Sequence, residues 1–439
     1  MRKILAVIVT KLLIFAGKLA GKKGSSSPGA IALKICPDLI SRLSAGVKKD
    51  IIAVCGTNGK TTSNNLLYSL IQSAGNRVVC NNVGANMLEG VATAFAASAN
   101  IFGRINADYA CIEIDEFSAV KVFRQLKPKY MVITNLFRDQ LDRYGEIDIT
   151  INALKKAVDM LGDVTLILNG DDPLVAAFGK TCGKKCLYFG ISENAGIALN
   201  EIKEGRFCRF CGEELKYNFY HYSQLGDYYC PKCGFCRPHI DYEAVNVKLE
   251  HGLSFDLNGM PIDVNYRGFY NIYNILAAYA VFDMLKLDTS HFNDVLDKYK
   301  PQIGRMETFN IGIETVFNLS KNPAGFNQAI SALCSDTHKK DVMIVLNDNA
   351  QDGRDISWIW DVDFERLKDA GICRLVSSGI RHNDVAVRFK YALLENTFDI
   401  ADVKSAIESC IDSDAEVLYV LVNYTALFST QNILRGLSK

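Results

Sequence analysis

The chain has 439 residues, enough for two or three domains with well-filled cores at about 150 residues per domain. Apolar residues make up 49% and charged residues 22%, the proportions of an ordinary globular protein, which excludes a disordered chain. Lys plus Arg and Asp plus Glu both number 49, so the formal charge is zero and whole-chain electrostatics give no reason to expect a nucleic-acid partner.

The opening run, Met1-Arg-Lys-Ile-Leu-Ala-Val-Ile-Val-Thr-Lys-Leu-Leu-Ile-Phe15, has the basic start and apolar body of a signal peptide, but Lys11 interrupts it. Helical spacing places Ile4, Ile8, Leu12, Phe15 and Leu19 on one stripe and Lys11 with Lys18 on a neighbouring face. This pattern predicts an amphipathic helix, too interrupted to span a bilayer, whose apolar stripe packs on the first domain. The alternative is a helix lying on a membrane surface, a peripheral contact. Residues 1–45 form this N-terminal helical segment and contain a turn-forming link, Gly24-Ser-Ser-Ser-Pro-Gly29.

Short β-branched or aromatic runs follow at Ile51–Cys55, 109–114, 130–135 and 164–169, alternating with longer helix-like segments. Such alternation predicts an α/β domain with a parallel sheet and crossover helices. The pattern pauses near Gly304 and resumes with runs at 341–346, 373–378 and 416–422, so we divide the chain into a central domain at 46–303 and a smaller α/β, Rossmann-like domain at 304–439.

Gly56-Thr-Asn-Gly59-Lys60-Thr61-Thr62 joins the first strand to a helix-like segment at 63–72. Glycines let backbone N–H groups curl round an anion, and the helix start adds positive potential. Lys60 can reach outer phosphates and the Thr61 hydroxyl can ligate Mg²⁺. The usual phosphate-loop spacing would place a further glycine where Val54 stands.

Five of the 14 cysteines crowd into one stretch, which within 203–240 predicts a zinc-ribbon insertion instead of a disulfide framework. Cys208-Arg-Phe-Cys211 and Cys230-Pro-Lys-Cys233 are two C-x-x-C knuckles that offer four thiolates to one structural Zn²⁺. A redox dithiol pair is the alternative, and Cys236 is a spare that could replace Cys233. Lys and Arg in the ribbon are offset by Glu and Asp, so it is expected to brace the central domain or shape a partner surface.

The loop Gly56–Thr62 resembles the ATP loop of the Mur ligase superfamily, and further matches follow in order. Glu113-Ile-Asp-Glu116 resembles the acidic Mg²⁺ segment, in which the residue matching Glu113 ligates the metal together with the one matching Thr61. Thr134-Asn135-Leu-Phe-Arg138-Asp139-Gln140-Leu-Asp142 resembles a T-N-x-x-x-D-H-L-D segment, with Gln140 where a histidine usually assists a second metal. Asn169-Gly-Asp-Asp172-Pro, Asn271 within Gly268-Phe-Tyr-Asn271, and Arg305 within Gly304-Arg305-Met-Glu307 resemble later nucleotide-binding motifs. The resemblance places Asn271 near the adenine and has Arg305 reach the nucleotide. Lys180 is the nearest candidate for the carbamylated lysine that bridges metals in some members.

Within the superfamily, the four-cysteine insertion, the segment Asn347-Asp348-Asn-Ala-Gln-Asp352-Gly-Arg-Asp355-Ile-Ser-Trp358-Ile-Trp360-Asp361, Ser378-Gly379-Ile-Arg381 and Asn423-Tyr424-Thr425 resemble the MurT family. Those proteins are ligase subunits of lipid II isoglutaminyl synthase. The resemblance implies ATP-dependent amidation of the D-glutamate α-carboxyl in the peptidoglycan stem peptide. It also implies a heterodimer with a class I glutaminase subunit, GatD, and a cytoplasmic location at the inner face of the plasma membrane. Lys60 and Glu113 would serve the ligase chemistry, while Asp355 would complete the partner's catalytic triad. Two other readings compete: a stand-alone amino-acid-adding or folylpolyglutamate-type ligase, and a nucleotide-switched scaffold. Lys321, at the histidine position of the A-H-N-P segment of amino-acid-adding ligases, argues against the former.

Overall fold

The computed structural model describes residues 1–19, 25–81, 84–137, 147–196, 205–249, 252–266, 268–299, 304, 306–349 and 351–438. It divides into two compact units, one made of 1–136, 147–266 and 270–299, the other of 137–146, 267–269 and 300–439.

The first unit opens with three helices, α1 (Arg2–Leu19), α2 (Ser27–Ile35) and α3 (Leu39–Ser44). A doubly wound sheet follows: β1 (Ile51–Cys55), α4 (Lys60–Ser73), β2 (Val78–Cys80), α5 (Leu88–Ser98), β3 (Tyr109–Glu113), α6 (Ala119–Val122), β4 (Tyr130–Ile133), α7 (Ile147–Asp159), β5 (Thr165–Asn169), α8 (Pro173–Thr181) and β6 (Lys185–Ile191). A separate hairpin, β7 (Lys216–Tyr222) and β8 (Leu225–Tyr229), interrupts this order. The unit closes with β9 (Tyr242–Lys248), β10 (Leu253–Leu257), β11 (Met260–Val264), α9 (Asn271–Met284) and α10 (Phe292–Lys298).

The nine strands run in the order β11-β10-β9-β6-β5-β4-β1-β3-β2. All neighbours from β2 to β9 pair in parallel, while β10 pairs antiparallel with both β9 and β11. Strands β1, β3, β4 and β5 are buried almost throughout, which is why they are continuous apolar runs without alternation. The chain leaves β1 toward β2 and β3 on one side and later crosses to β4 on the other. The carboxyl end of β1 is therefore a topological switch point, where open α/β sheets leave a crevice for ligands.

The first helix departs from the packing expected of it. Ala6, Val7 and Thr10 are buried, whereas the apolar stripe through Ile4, Ile8, Leu12, Phe15 and Leu19 faces outward. Small side chains let a helix approach its neighbours closely, and the same device recurs beneath it. Gly29 of α2 lies so near α5 that a Cβ there would come within 1.9 Å of the Glu89 carbonyl.

The second unit carries β12 (Glu307–Asn310), β13 (Glu314–Leu319), α11 (Pro323–Ser335), β14 (Lys340–Val345), two 3₁₀ turns (Ser357–Asp361 and Phe364–Asp369), β15 (Ile372–Ser378), α12 (His382–Tyr391), β16 (Thr397–Asp399), α13 (Val403–Ile411), β17 (Val417–Val422) and α14 (Ala426–Leu437). Its six strands run β12-β13-β17-β14-β15-β16, parallel except for β12. Apolar clusters cover both faces of this sheet. Asn322, in the departed A-H-N-P segment, caps α11 by accepting from the Gly325 N–H at 2.8 Å, with Pro323 in the first turn.

Candidate active site

Three adjacent strand ends build the site at the switch point. The end of β1 supplies the Gly56–Gly59 loop, β3 the acidic segment from Glu113 to Glu116, and β4 the pair Thr134-Asn135. The loop is tied down by its neighbours. The Thr57 and Asn58 N–H groups donate to the Asn135 carbonyl and side-chain oxygen at 2.9 and 2.8 Å, and the Thr134 hydroxyl donates to the Asn58 carbonyl at 2.7 Å. Gly56 and Gly59 both have positive φ, of 117° and 84°. A Cβ on Gly59 would meet Asn274 Oδ1 at 2.3 Å, so glycine is required here on two grounds.

Lys60 begins α4 and is buried. Its ammonium donates to Glu116 Oε1 at 2.9 Å, to the Thr57 carbonyl at 3.3 Å and to the Gly56 carbonyl. Burial alone pulls an ammonium's pKa down, but the carboxylates of Glu116, Asp115 and Glu113 outweigh it and hold Lys60 above its ordinary value. Glu116 Oε1 also accepts from the Gly56 N–H at 2.8 Å, so one carboxylate fixes both the loop and the lysine.

Glu113 is differently placed. Its Oε1 accepts from Asn86 Nδ2 at 2.9 Å, while Oε2 is buried without a hydrogen-bond partner. A buried carboxylate oxygen left bare is costly, and a cation is the ordinary remedy. Thr61 and Thr62 are half-buried beside Lys60 in the first turn of α4, whose N–H groups have no intrahelical carbonyl to meet. On the next turn Ser63 Oγ donates to Asn274 Oδ1 at 3.3 Å, and Asn274 Nδ2 donates to Asn271 Oδ1 at 2.9 Å, which brings the start of α9 to the loop.

The four knuckle cysteines come together, with their Sγ atoms all within 4.8 Å of one another. Cys208 and Cys233 stand at 3.5 Å, and Cys211 and Cys230 at 3.4 Å. Cys236 is exposed and outside this group. The ribbon packs on α8: Cys208, Leu215, Tyr228, Cys230 and Phe235 share an apolar cluster with Ala176 and Ala177. Gln224, in the turn between β7 and β8, donates to the Leu136 carbonyl at 2.8 Å and to Asp172 at 3.3 Å, so the insertion braces the sheet.

In the second unit, the ends of β14, β15 and β17 gather the three characteristic segments. Asn347 N–H donates to Asn423 Oδ1 at 3.1 Å, Asn423 Nδ2 donates back to the Asn347 carbonyl at 2.6 Å, and the Ile380 N–H donates to Asn347 Oδ1 at 3.0 Å. Asp352 is buried and accepts from the Thr425 N–H at 2.8 Å, the Thr425 hydroxyl and the Asn349 N–H at 3.2 Å. Asp355 is half-buried, and the hydrogen bond from Ser357 holds its carboxyl below the usual range.

Over residues 54–282 the chain matches the Mur ligase middle domain, and over residues 319–427 the MurT ligase C-terminal family. It is 36% identical over 430 residues to subunit MurT of the glutamine-hydrolysing lipid II isoglutaminyl synthase of Staphylococcus aureus (strain COL), covering 97% of this chain and 96% of that one. The chain belongs to the MurT family. Among solved structures, the pseudomurein peptide ligase type C of Methanothermus fervidus shares the fold with a TM-score of 0.71 at 23% identity, over 89% of this chain and 79% of that one. MurF ligase of Thermotoga maritima, solved in complex with ADP, shares it with a TM-score of 0.63 at 14% identity, over 92% and 84%. This MurT-family chain is accordingly an enzyme subunit, a Mur-type ligase of peptidoglycan biosynthesis that acts in a complex.

Arg305 and Gln140 lie outside the described residues. The Lys180 ammonium stands over the rings of Phe210 and Phe235, at 5.2 and 5.7 Å from their centres, and ties α8 to the ribbon. Asp171 and Asp172 are spent on protein partners. Asp171 accepts from Arg237 Nε at 2.7 Å, the Tyr273 hydroxyl at 2.8 Å and the Ile191 N–H at 2.8 Å. Asp172 caps α8 and accepts from the Leu136 N–H at 2.8 Å, with burial pushing its carboxyl up to about 6. The acidic segment's last residue, Glu116, has no role of its own in the motif, although a lysine buried beside a loop of carbonyls demands a counter-charge within reach.

Proposed function

We propose that this MurT-family chain is the ATP-dependent amidating subunit of a lipid II isoglutaminyl synthase, converting the D-glutamate α-carboxyl of the stem peptide to the amide of D-isoglutamine. The observation that carries the reading is the buried, charged Lys60 at the head of the Gly56–Gly59 loop, with the bare Oε2 of Glu113 at the neighbouring strand end.

A carboxylate is a poor acylating agent. Transfer of the ATP γ-phosphoryl group to its oxygen breaks the bond between the β,γ-bridging oxygen and the γ-phosphorus and releases ADP. The lone pair of ammonia then attacks the acyl carbon of the acyl phosphate, inorganic phosphate leaves with the C–O bonding pair, and nitrogen sheds a proton. Lys60 and the N–H groups opening α4 would stabilise the migrating charge, and Asn271, at the start of α9, would meet the adenosine end of the nucleotide. Thr61 and Glu113 would hold Mg²⁺, which when bound neutralises phosphate charge. Purified complex given ATP, Mg²⁺, glutamine and lipid II should yield isoglutamine by mass spectrometry; ATP turnover independent of any carboxylate substrate would overturn the reading.

The four-thiol group fits zinc. A tetrahedral site with Zn–S bonds of about 2.3 Å has S···S edges of about 3.8 Å, close to the Cys208–Cys233 and Cys211–Cys230 spacings that link one knuckle to the other. With four protein ligands the ion is structural and fastens the ribbon under α8. Elemental analysis should find one zinc per chain, and Cys230→Ser should lose it together with several degrees of thermal stability.

Ammonia is proposed to come from a class I glutaminase subunit, with Asp355 serving that partner. Asp355 is ionised and half-exposed, whereas Asp352 is committed to Thr425 and Asn349.

A further inference from the structure

We propose that the outer face of α1, together with the loop tip Ile101-Phe102, docks on an anionic lipid bilayer. The helix is held to the protein by Ala6, Val7 and Thr10 and by a hydrogen bond from the Lys11 ammonium to the Ala97 carbonyl at 2.7 Å. Its large apolar side chains point the other way: Leu12, Phe15 and Leu19 are 61%, 62% and 76% exposed. Leaving these out while burying an alanine and a threonine is the reverse of what core packing favours.

A second element lies alongside. Asn100 Oδ1 accepts from the N–H groups of Phe102 and Arg104, both at 3.0 Å, and its carbonyl accepts from Gly103 at 2.9 Å. This closed turn presents Ile101 and Phe102, 59% and 64% exposed. A Cβ on Gly103 would come within 3.1 Å of Lys3 Cε, so the tip stands beside the first turn of α1.

Charge selects the occupant. Ahead of Asp38 the sequence has seven basic residues and no acidic one, in a chain whose formal charge is zero. Helical spacing sets Lys18 along one border of the exposed stripe and Arg2 near the other. This arrangement suits an interfacial helix, with apolar side chains below the headgroups and long cationic stems reaching the phosphates. Among the described residues no helix is long and apolar enough to cross a membrane. A second copy would bring the same cations against these and repel them. The inference deepens the proposed function, because a lipid-linked substrate is presented at such a surface, but its test needs no turnover.

The full chain, purified with its glutaminase subunit, would be sedimented without ATP or glutamine against vesicles of phosphatidylcholine, alone or mixed equally with phosphatidylglycerol. Binding to the mixed vesicles is expected to be about tenfold or more tighter than to phosphatidylcholine and to weaken with salt. The double variant L12E/F15E should lose about tenfold or more of it, while amidation of a water-soluble stem-peptide substrate stays unchanged. The proposal falls if mixed vesicles leave the protein in solution, or if L12E/F15E binds like the parent. It also falls if the parent is a dimer by light scattering that the variant dissociates, or if the variant no longer co-purifies with the glutaminase. Vesicle binding without amidation of any substrate would overturn the proposed function and leave this inference standing.

Discussion

Lys60→Met is expected to lower kcat for product formation by about 10²–10³-fold whether glutamine or free ammonia supplies the nitrogen, the loss that follows removal of one preorganised charge stabiliser. Lys60 is also the counter-ion of a fully enclosed carboxylate, so the substitution leaves Glu116 buried and unpaired, at a cost of about 3–5 kcal/mol. The two effects separate in the pair Lys60→Met and Lys60→Met/Glu116→Gln. The second variant should regain thermal stability, because a neutral amide no longer needs the ammonium, and should stay inactive. Phosphate release and thermal unfolding measured on both decide the matter. Recovery of turnover along with stability in the double variant would show that Lys60 serves the loop's fold and not the phosphoryl group.

What was legible in the sequence follows the range of the interactions that produce it. The strand at Ile51–Cys55, the Gly56–Gly59 turn and the helix from Lys60 are dictated within a dozen residues, by a continuous apolar run and two glycines that the backbone requires. The zinc knuckles are equally local, each closing over four residues. The exposed side of α1 was not legible, because periodicity shows that a helix has two unlike faces and says nothing about which face finds a neighbour. There the face carrying Ala6, Val7 and Thr10 is the one that packs. Asp171 and Asp172 illustrate the same limit. Their motif resembles a nucleotide contact, yet their partners Arg237, Tyr273, Leu136 and Gln224 lie far away in sequence and only the fold brings them in.

Asp355→Asn is expected to separate the two half-reactions of the complex. Replacing the carboxylate that orients a catalytic histidine with an amide costs about 10⁴-fold in the triad case, so glutamine hydrolysis should fall toward that level while amidation from ammonium salts is spared. Asp352→Asn should behave differently. It disturbs the hydrogen bonds from Thr425 and Asn349 that hold the loop after β14, at about 1–3 kcal/mol, and so lowers stability and both activities together. The pH dependence adds a check with a definite sign. The Asp355 carboxyl is depressed below its ordinary 3.8 by Ser357, so its charge is complete at neutral pH and is lost only as the pH falls through that depressed value. Activity changes between about pH 6 and 9 then report other groups, chiefly the partner's histidine, and removing the carboxylate beside that imidazole should lower its pKa and move the acid limb of the profile to lower pH in Asp355→Asn. A profile whose acid limb stays in place in the variant, or glutaminase activity that survives Asp355→Asn and disappears in Asp352→Asn, would reassign the role to Asp352.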